Sequence, residues 1–590
     1  MPTIGIKRDV LFRALGRDYT EEEFNQLCFD YGLELDEVTT EKQMLSKEQG
    51  EESSKGASEE IIYRIDIPAN RYDLLCLEGL VTGLLVFLEK IPPPLYKALQ
   101  PDGNAPQQSM FITPQTQSIR PFAVAAILRN LSFTAESYAS FIDLQDKLHQ
   151  NIARKRTLVA IGTHDLDTIQ GPFIYDACPP DTIKFKPLNQ SKEYTAVELM
   201  DLYSSHAQLK QYLHIIKDSP VYPVIRDANG IVLSLPPIIN GDHSRITLNT
   251  KNVFIECTAT DLSKAKIVLD TLVCAFSQYC SKKYTAESVV IVRPDGSRQK
   301  YPELAYRKEN ISTKILNKKI GINEKSDKLA KLLTKMCLKA SHVNAGSELL
   351  VEVPPSRHDI IHPVDIYEDA AIAFGYNNIV KTIPPTSTIG DQFPLNKLTD
   401  QIRNSIAQAG FTETLTFALC SRDDISTKLR KKIDDLPAVH IGNPKTLEFQ
   451  VARTTLIPGL LKTISANKNM PLPMKLFEVS DVVFKDKEKE AGARNERHFS
   501  AVYYNKSPGF EVVHGLLDRL MQLLQVSWKS ADGYSIRACD DPTFFPQRCA
   551  EICLKGQVIG KMGVLHPEVI TQFELTLPCS AIEINIEPFL

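Results

Sequence analysis

The sequence predicts a multidomain α+β protein, and three observations carry that expectation. The chain has 590 residues, enough for several cores at roughly 100–200 residues per domain. Its hydrophobic and charged fractions, 43% and 24%, are those of ordinary globular chains rather than disordered or collagen-like ones. Apolar stripes at helical spacing alternate with short strand-like runs, and the last third mixes helices and strands in the manner of an antiparallel sheet.

The first module covers residues 1–91. Thr20 and Glu23 have the spacing of a capping box. Phe24, Leu27, Cys28 and Tyr31 then repeat at helical spacing, and Gly32 can close the helix. Residues 40–60 are rich in Ser, Glu, Lys and Gly, which predicts a solvated, mobile insertion. A strand over 61–67 leads to Pro68-Ala-Asn-Arg-Tyr-Asp73 and a helix striped with Leu77, Val81, Leu84 and Leu88. Pro92-Pro-Pro94 stops it, and the polar stretch to Gln117 reads as a linker.

The second module, 118–280, mixes strand-like runs over 122–128, 157–161, 231–235 and 253–257 with two helices. The third, 289–381, is a small α/β unit with a strand near 311–316, a helix through Leu329 to Cys337, a strand over 349–353 and a helix from Val364. The fourth, 384–590, has helices near 398–409, 458–467 and 512–524 among strands.

Several function classes are disfavoured at once. A net charge of −4 argues against a non-specific electrostatic grip on nucleic acid, though not against local patches. Nothing approaches ~20 consecutive apolar residues, so no membrane-spanning helix is expected. The first residues offer no signal-peptide core. The 12 cysteines are scattered without a C-x2-C, which favours reduced cytosolic thiols over zinc or dithiol chemistry. No phosphate loop or G-x-G-x-x-G occurs. His440-Ile-Gly-Asn443 has neither a Rossmann unit before it nor a K-M-S-K-S partner.

Two constellations carry chemistry. Asp359, Asp365, Glu368 and Asp369 bring four hard oxygen donors to one helix start. Close carboxylates repel unless a cation or a basic group sits among them, and Mg²⁺ or Ca²⁺ would suit them. The plain alternative is that acids collect in first helical turns because the helix dipole favours them. His358 and His362 sit beside prolines that break the helix a zinc pair requires. In the second module, Glu256 stands inside an apolar strand, where a carboxylate needs a partner or a polar cavity. With His164 and the polar loop Asn240-Gly-Asp-His-Ser-Arg245 it could position a water for hydrolysis. The alternative is a surface loop and a salt-bridged glutamate. Arg154-Lys-Arg156 and the stripe Lys331, Lys335, Lys339 read as solvated charge.

Ordered motifs along nearly the whole chain resemble the beta-subunit family of archaeal/eukaryotic-type cytosolic phenylalanine–tRNA ligases. They include Met1-Pro-Thr-Ile4, Pro68-Ala-Asn-Arg-Tyr-Asp73, Gly162-Thr-His-Asp-Leu-Asp167, Pro354-Pro-Ser-Arg-His-Asp359, Phe374-Gly-Tyr-Asn-Asn378, Arg453-Thr-Thr-Leu-Ile-Pro-Gly459 and Gly563-Val-Leu-His-Pro567.

The resemblance implies an (αβ)2 heterotetramer in the cytoplasm that attaches phenylalanine to tRNA(Phe) using ATP. The alpha subunit then carries the aminoacylation site. It implies that 118–280 is an editing (B3/B4-like) domain for mischarged tyrosyl-tRNA, with His164 and Glu256 in its pocket. It further implies that 289–381 is B5-like. Asp359, Asp365, Glu368 and Asp369 would there hold Mg²⁺ shared with the alpha subunit. The module 384–590 would be a degenerate class II synthetase-like core. A free-standing editing hydrolase, a non-catalytic scaffold and a magnesium-dependent phosphoryl-transfer enzyme stand as alternatives.

Overall fold

The computed structural model describes residues 2–44, 58–101, 106–188, 190–384 and 386–590. It divides into two units, Met1–Ile383 and Pro384–Leu590. Most of the insertion expected over 40–60 lies outside the described residues. Among the described residues no helix is long and apolar enough to cross a membrane.

The first unit opens with an antiparallel sheet in the order Thr3–Lys7, Ile61–Asp66, Glu34–Thr40. Its helix Glu21–Tyr31 starts as the sequence requires. Glu23 N–H donates to Thr20 Oγ1 at 3.2 Å, and Thr20 N–H donates to Glu23 Oε2 at 2.9 Å. Gly32, at φ 84°, ends it in the left-handed conformation that favours glycine.

A large curled sheet follows. Its path runs 239–240, 232–235, 222–226, 173–178, 109–112, 285–292, 122–128, 253–259 and finally the edge strand 159–165. The inner strands Phe122–Leu128 and Val253–Ala259 are buried on both faces, which is why they read as near-continuous apolar runs. The helices Ala135–Gln150 and Leu262–Phe276 join the same core.

Two expectations fail here. The stretch taken as a linker contributes Lys97–Leu99 and Ser109–Ile112, both paired in parallel with Thr285–Val292. That partner strand sits mid-sheet, so residue 289, read as the start of the third module, is inside the second module's sheet. Pairing across more than 170 residues leaves no local signature.

The third module has an antiparallel sheet in the order Arg307–Ser312, Glu348–Val353, Lys339–Val343, covered by helices Thr313–Ile320, Ser326–Lys335 and Pro363–Phe374. The run read as a strand over 311–316 divides, because the Ser312 hydroxyl accepts Ile315 N–H at 3.4 Å and caps a helix there.

The second unit is built on a seven-stranded sheet in the order 412–413, 474–485, 493–504, 579–585, 557–565, 544–554, 534–538. All pairs are antiparallel except the first. Alternate residues feed two layers. Phe477, Phe499 and Ile582 pack with helices Pro394–Gln408 and Phe510–Leu523; Leu476, Val502 and Ala581 pack with Ile457–Ala466.

Candidate functional site

The antiparallel register places Glu256 between Ala125 and Gly162 on its neighbouring strands. Both are small, and the carboxylate fills the space they leave. A Cβ on Gly162 would stand 2.8 Å from the Glu256 carboxyl carbon and 3.1 Å from His164 Nε2. His164 lies two residues on, on the same face, with its Nε2 3.8 Å from Glu256 Oε1. Both side chains are almost fully buried.

Curling of the sheet brings the strand Val232–Leu235 over this point, and Ser234 Oγ donates to Glu256 Oε1 at 2.9 Å. His164 Nδ1 meets Ser244 Oγ at 2.8 Å. Glu256 Oε2 and His164 Nε2 are buried without a hydrogen-bond partner. Leaving such an atom unpaired costs about 1–3 kcal/mol, so a buried orphan carboxylate oxygen calls for a partner from outside the chain.

Glu256 forms part of the wall of a cleft of about 720 Å³. Ser234, Asn240, Gly241 and Arg245 also line it. His243 turns away, its Nε2 2.8 Å from Thr168 O. The structure thus brings His164, Glu256 and part of the polar loop together. Sequence reasoning missed Ser234, which arrives from another strand through the curl and carries no local signal. It also missed His149, whose Nε2 accepts the N–H of Ile161 on the edge strand at 2.9 Å. Burial, with Arg156 and Arg120 nearby, holds His149 well below the usual imidazole range, so it is neutral and can accept that bond.

The acidic cluster is arranged differently from the expectation. Arg357 is buried and donates to Asp359 through Nε at 2.9 Å and Nη2 at 2.8 Å, and to Asp369 through Nη2 at 2.7 Å. Asp365 Oδ2 accepts the N–H groups of Ile361 and His362 at 2.9 Å, capping the helix Pro363–Phe374. Glu368 is exposed. Two of the four acids therefore meet, around a guanidinium, and two do not join them. Among the described residues no group of three or more His, Cys, Asp or Glu is gathered to hold a metal ion. In this arrangement the donor set does not fit magnesium, because Arg357 occupies the place of the cation. Burial raises the Asp359 carboxyl, but Arg357 outweighs it and holds the group below its ordinary value. Burial dominates at Asp369, which is pushed up to about 6 despite Arg357. Nearby, Arg71 grips Asp73 at 2.9 and 2.8 Å and reaches Tyr31 Oη at 3.3 Å.

Several other charged features have partners within the chain. His358 Nε2 lies 3.2 Å from Asp270, and His362 Nδ1 accepts Val364 N–H at 3.2 Å. Lys335 pairs with Glu89 and Lys339 with Glu352. In the second unit, Arg453 donates to Glu478 at 2.8 Å, to Thr416 Oγ1 at 2.9 Å and to Asp481 O at 2.9 Å. Glu583 accepts from Thr455 Oγ1 at 2.5 Å and Leu456 N–H at 3.1 Å, and meets His498 at 2.8 Å. Arg453 and His498 on this sheet face are thus held by the chain's own acids rather than presented to an anionic ligand.

Family comparisons agree along the chain. The Phe-tRNA synthetase beta subunit B1 domain matches residues 1–90 and the B3/4 domain residues 114–280. The tRNA synthetase B5 domain matches 310–376, and the phenylalanyl tRNA synthetase beta chain CLM domain matches 379–586. The chain is 67% identical to the phenylalanine–tRNA ligase beta subunit of Drosophila melanogaster and 62% identical to that of Homo sapiens, each over 100% of both chains. It is 48% identical, over 100% of both chains, to the Arabidopsis thaliana protein called phenylalanine–tRNA ligase beta subunit, cytoplasmic. The structure of an N-terminal fragment of the Pyrococcus horikoshii phenylalanyl-tRNA synthetase beta subunit aligns at a TM-score of 0.55 and 29% identity, over 63% of this chain and 99% of the fragment. With full-length identity at this level and four matching domains in order, the chain belongs to the phenylalanine–tRNA ligase beta subunit family.

Proposed function

We propose that this chain is the non-aminoacylating beta subunit of a phenylalanine–tRNA ligase and that its cleft hydrolyses tyrosyl-tRNA made in error. The assembly is an (αβ)2 heterotetramer acting on tRNA(Phe) in the cytoplasm. The alpha subunit joins phenylalanine to tRNA and holds the ATP and magnesium which that step consumes. The paired charges on the sheet face of the second unit support a core with no ATP site of its own.

The observation that carries the editing reading is Glu256 Oε2, a buried acceptor with no partner in the wall of the cleft. Tyrosine differs from phenylalanine by one hydroxyl. An apolar synthetic pocket rejects such an addition by only about a hundredfold, so a second hydrolytic sieve is needed. A phenolic O–H donated to Oε2 satisfies the orphan oxygen. Phenylalanine in the same place leaves it unpaired. Ser234 fixes the carboxylate by donating to Oε1, and His164 stands behind it as a positioning residue. With Nδ1 accepting the Ser244 hydroxyl, the His164 Nε2–H faces Glu256.

The test is a two-part assay. The chain alone should not phenylalanylate tRNA, and adding the alpha subunit should restore the reaction. In that assembly Glu256→Ala should abolish tyrosyl-tRNA hydrolysis while phenylalanylation continues. Phenylalanylation by the chain alone would sink the first half, and intact hydrolysis the second.

A further inference from the structure

The cleft extends beyond Glu256, along the helix Ala135–Gln150. Tyr138, Ile142, Gln145 and His149 line it from one face of that helix, a run of about 16 Å at 1.5 Å per residue. Its two ends are marked. At one, Tyr138 Oη donates to Ile246 O at 3.1 Å, beside the exposed, cleft-lining Arg245. At the other, the chain leaves the helix through Arg154, Lys155 and Arg156, with φ of 45°, 53° and 65°.

Three successive non-glycine residues in the left-handed region are costly, because each Cβ crowds its own backbone. Such strain persists where the surroundings enforce it, and it collects at functional sites. Here the effect is to split the basic triplet. Arg156 turns inward to line the cleft. Its Nη1 donates to Pro237 O at 3.2 Å and Ile238 O at 3.1 Å, and its guanidinium lies 4.3 Å from the Tyr212 ring centre. Its Nε is buried without a hydrogen-bond partner. Arg154 and Lys155 point outward, exposed and with no ion pair among the described residues. Most of this arm is uncharged hydrogen-bonding surface: Gln145, Gln150, His206, Gln208 and Gln211 line it, with Asp146 as its acid.

Unpaired cations next in the chain to the cleft-lining Arg156, beside a groove that also presents several amides, suit a polyanion whose bases need polar contacts, that is, single-stranded RNA. We propose that the left-handed turn Arg154–Arg156 binds the single-stranded 3′ segment of the tRNA that delivers the amino acid to Glu256. Arg154 and Lys155 meet its phosphates, and Arg156 holds the inner end of the groove. The sequence hides this, since the triplet reads as ordinary charge after a helix. The inference rests on the reading of the cleft as the tyrosyl-tRNA hydrolase.

The experiment uses the assembled enzyme with two substrates, tyrosyl-tRNA and 3′-O-tyrosyl-adenosine, which has no phosphate. Losing two single-strand phosphate contacts should flatten the log–log salt dependence of tyrosyl-tRNA binding by about 1.4 and weaken it ~25-fold at 0.1 M salt. The pair Arg154→Gln and Lys155→Gln should show both effects in KM for tyrosyl-tRNA while hydrolysis of tyrosyl-adenosine is unchanged. The pair Arg154→Gly and Lys155→Gly should lose the same affinity yet melt at a higher temperature, because glycine relieves the left-handed backbone. An unchanged salt slope and KM in both pairs would overturn the proposal. So would equal loss on both substrates, which would mean damage to the hydrolytic site. If Glu256→Ala leaves hydrolysis intact, the editing reading fails instead; the salt slope of tyrosyl-tRNA binding then still decides the RNA contact.

Discussion

Gly162→Ala tests the geometry around Glu256 with one methyl group. The added Cβ would stand 2.8 Å from the Glu256 carboxyl carbon, whereas ordinary contact begins at 3.4 Å. Glu256 Oε1 is closer still to the new methyl, so the carboxylate must retreat by on the order of 1 Å, since the β-strand backbone behind the methyl cannot give as easily. It cannot swing freely, because Ser234 Oγ holds Oε1 at 2.9 Å and His164 closes the other side. Misplacement on the order of 1 Å can cost about a hundredfold in rate. Hydrolysis of tyrosyl-tRNA should fall roughly ten- to a hundredfold by the same reasoning. Overpacking should also lower stability by about 1–3 kcal/mol. Phenylalanylation, assigned to the alpha subunit, is the internal control. The assay is single-turnover deacylation of preformed tyrosyl-tRNA by the assembled enzyme, with calorimetry alongside. Wild-type deacylation in a folded Gly162→Ala enzyme would refute the role given to the Glu256 carboxylate position.

Three further outcomes follow from the charged clusters. Arg357→Met leaves Asp359 and Asp369 buried without their cation, and calorimetry should show a loss of about 3–5 kcal/mol that added magnesium does not restore. Recovery of stability in a magnesium titration would contradict the reading of Arg357 as the cluster's cation. Asp365→Ala removes the acceptor for two N–H groups at a helix start and should cost about 1 kcal/mol; the magnesium dependence of phenylalanylation should not move, and a shifted dependence would place Asp365 on an ion. Asp541 gives a pH signature. Burial raises its carboxyl, but Lys431, the Thr543 N–H and Lys561 outweigh that and bring it to about 2. A depressed carboxylate stabilises the fold above its unfolded value near 4, and that contribution, about 2 kcal/mol, is lost as pH falls from about 4 to about 2. Asp541→Asn should remove this acid-side slope from the second unit's unfolding curve; an unchanged slope would rule it out.

How far the sequence could be read depended on the range of the interaction. The Thr20–Glu23 cap and the helix behind it depend on residues three and four apart, so spacing alone locates them. Glu256 stood out because a carboxylate inside an apolar strand needs an explanation. Its anchor Ser234 did not, because the bond between them exists only once the sheet curls. The strands Lys97–Leu99 and Ser109–Ile112 were hidden for the same reason: a polar stretch becomes strand only against Thr285–Val292. The acidic cluster shows the opposite difficulty. Its spacing is local and suggestive, yet Arg357, two residues before Asp359, supplies the positive charge that the family resemblance assigned to a metal. Asp365 was placed correctly in the first helical turn, where capping accounts for it.

The most direct test of the central claim is the ratio of hydrolysis rates for tyrosyl-tRNA and phenylalanyl-tRNA, in wild-type assembly and in Glu256→Ala. The account predicts that wild type strongly favours tyrosyl-tRNA and that the variant loses this preference through a fall in the tyrosyl rate alone. A preference that survives Glu256→Ala would contradict it.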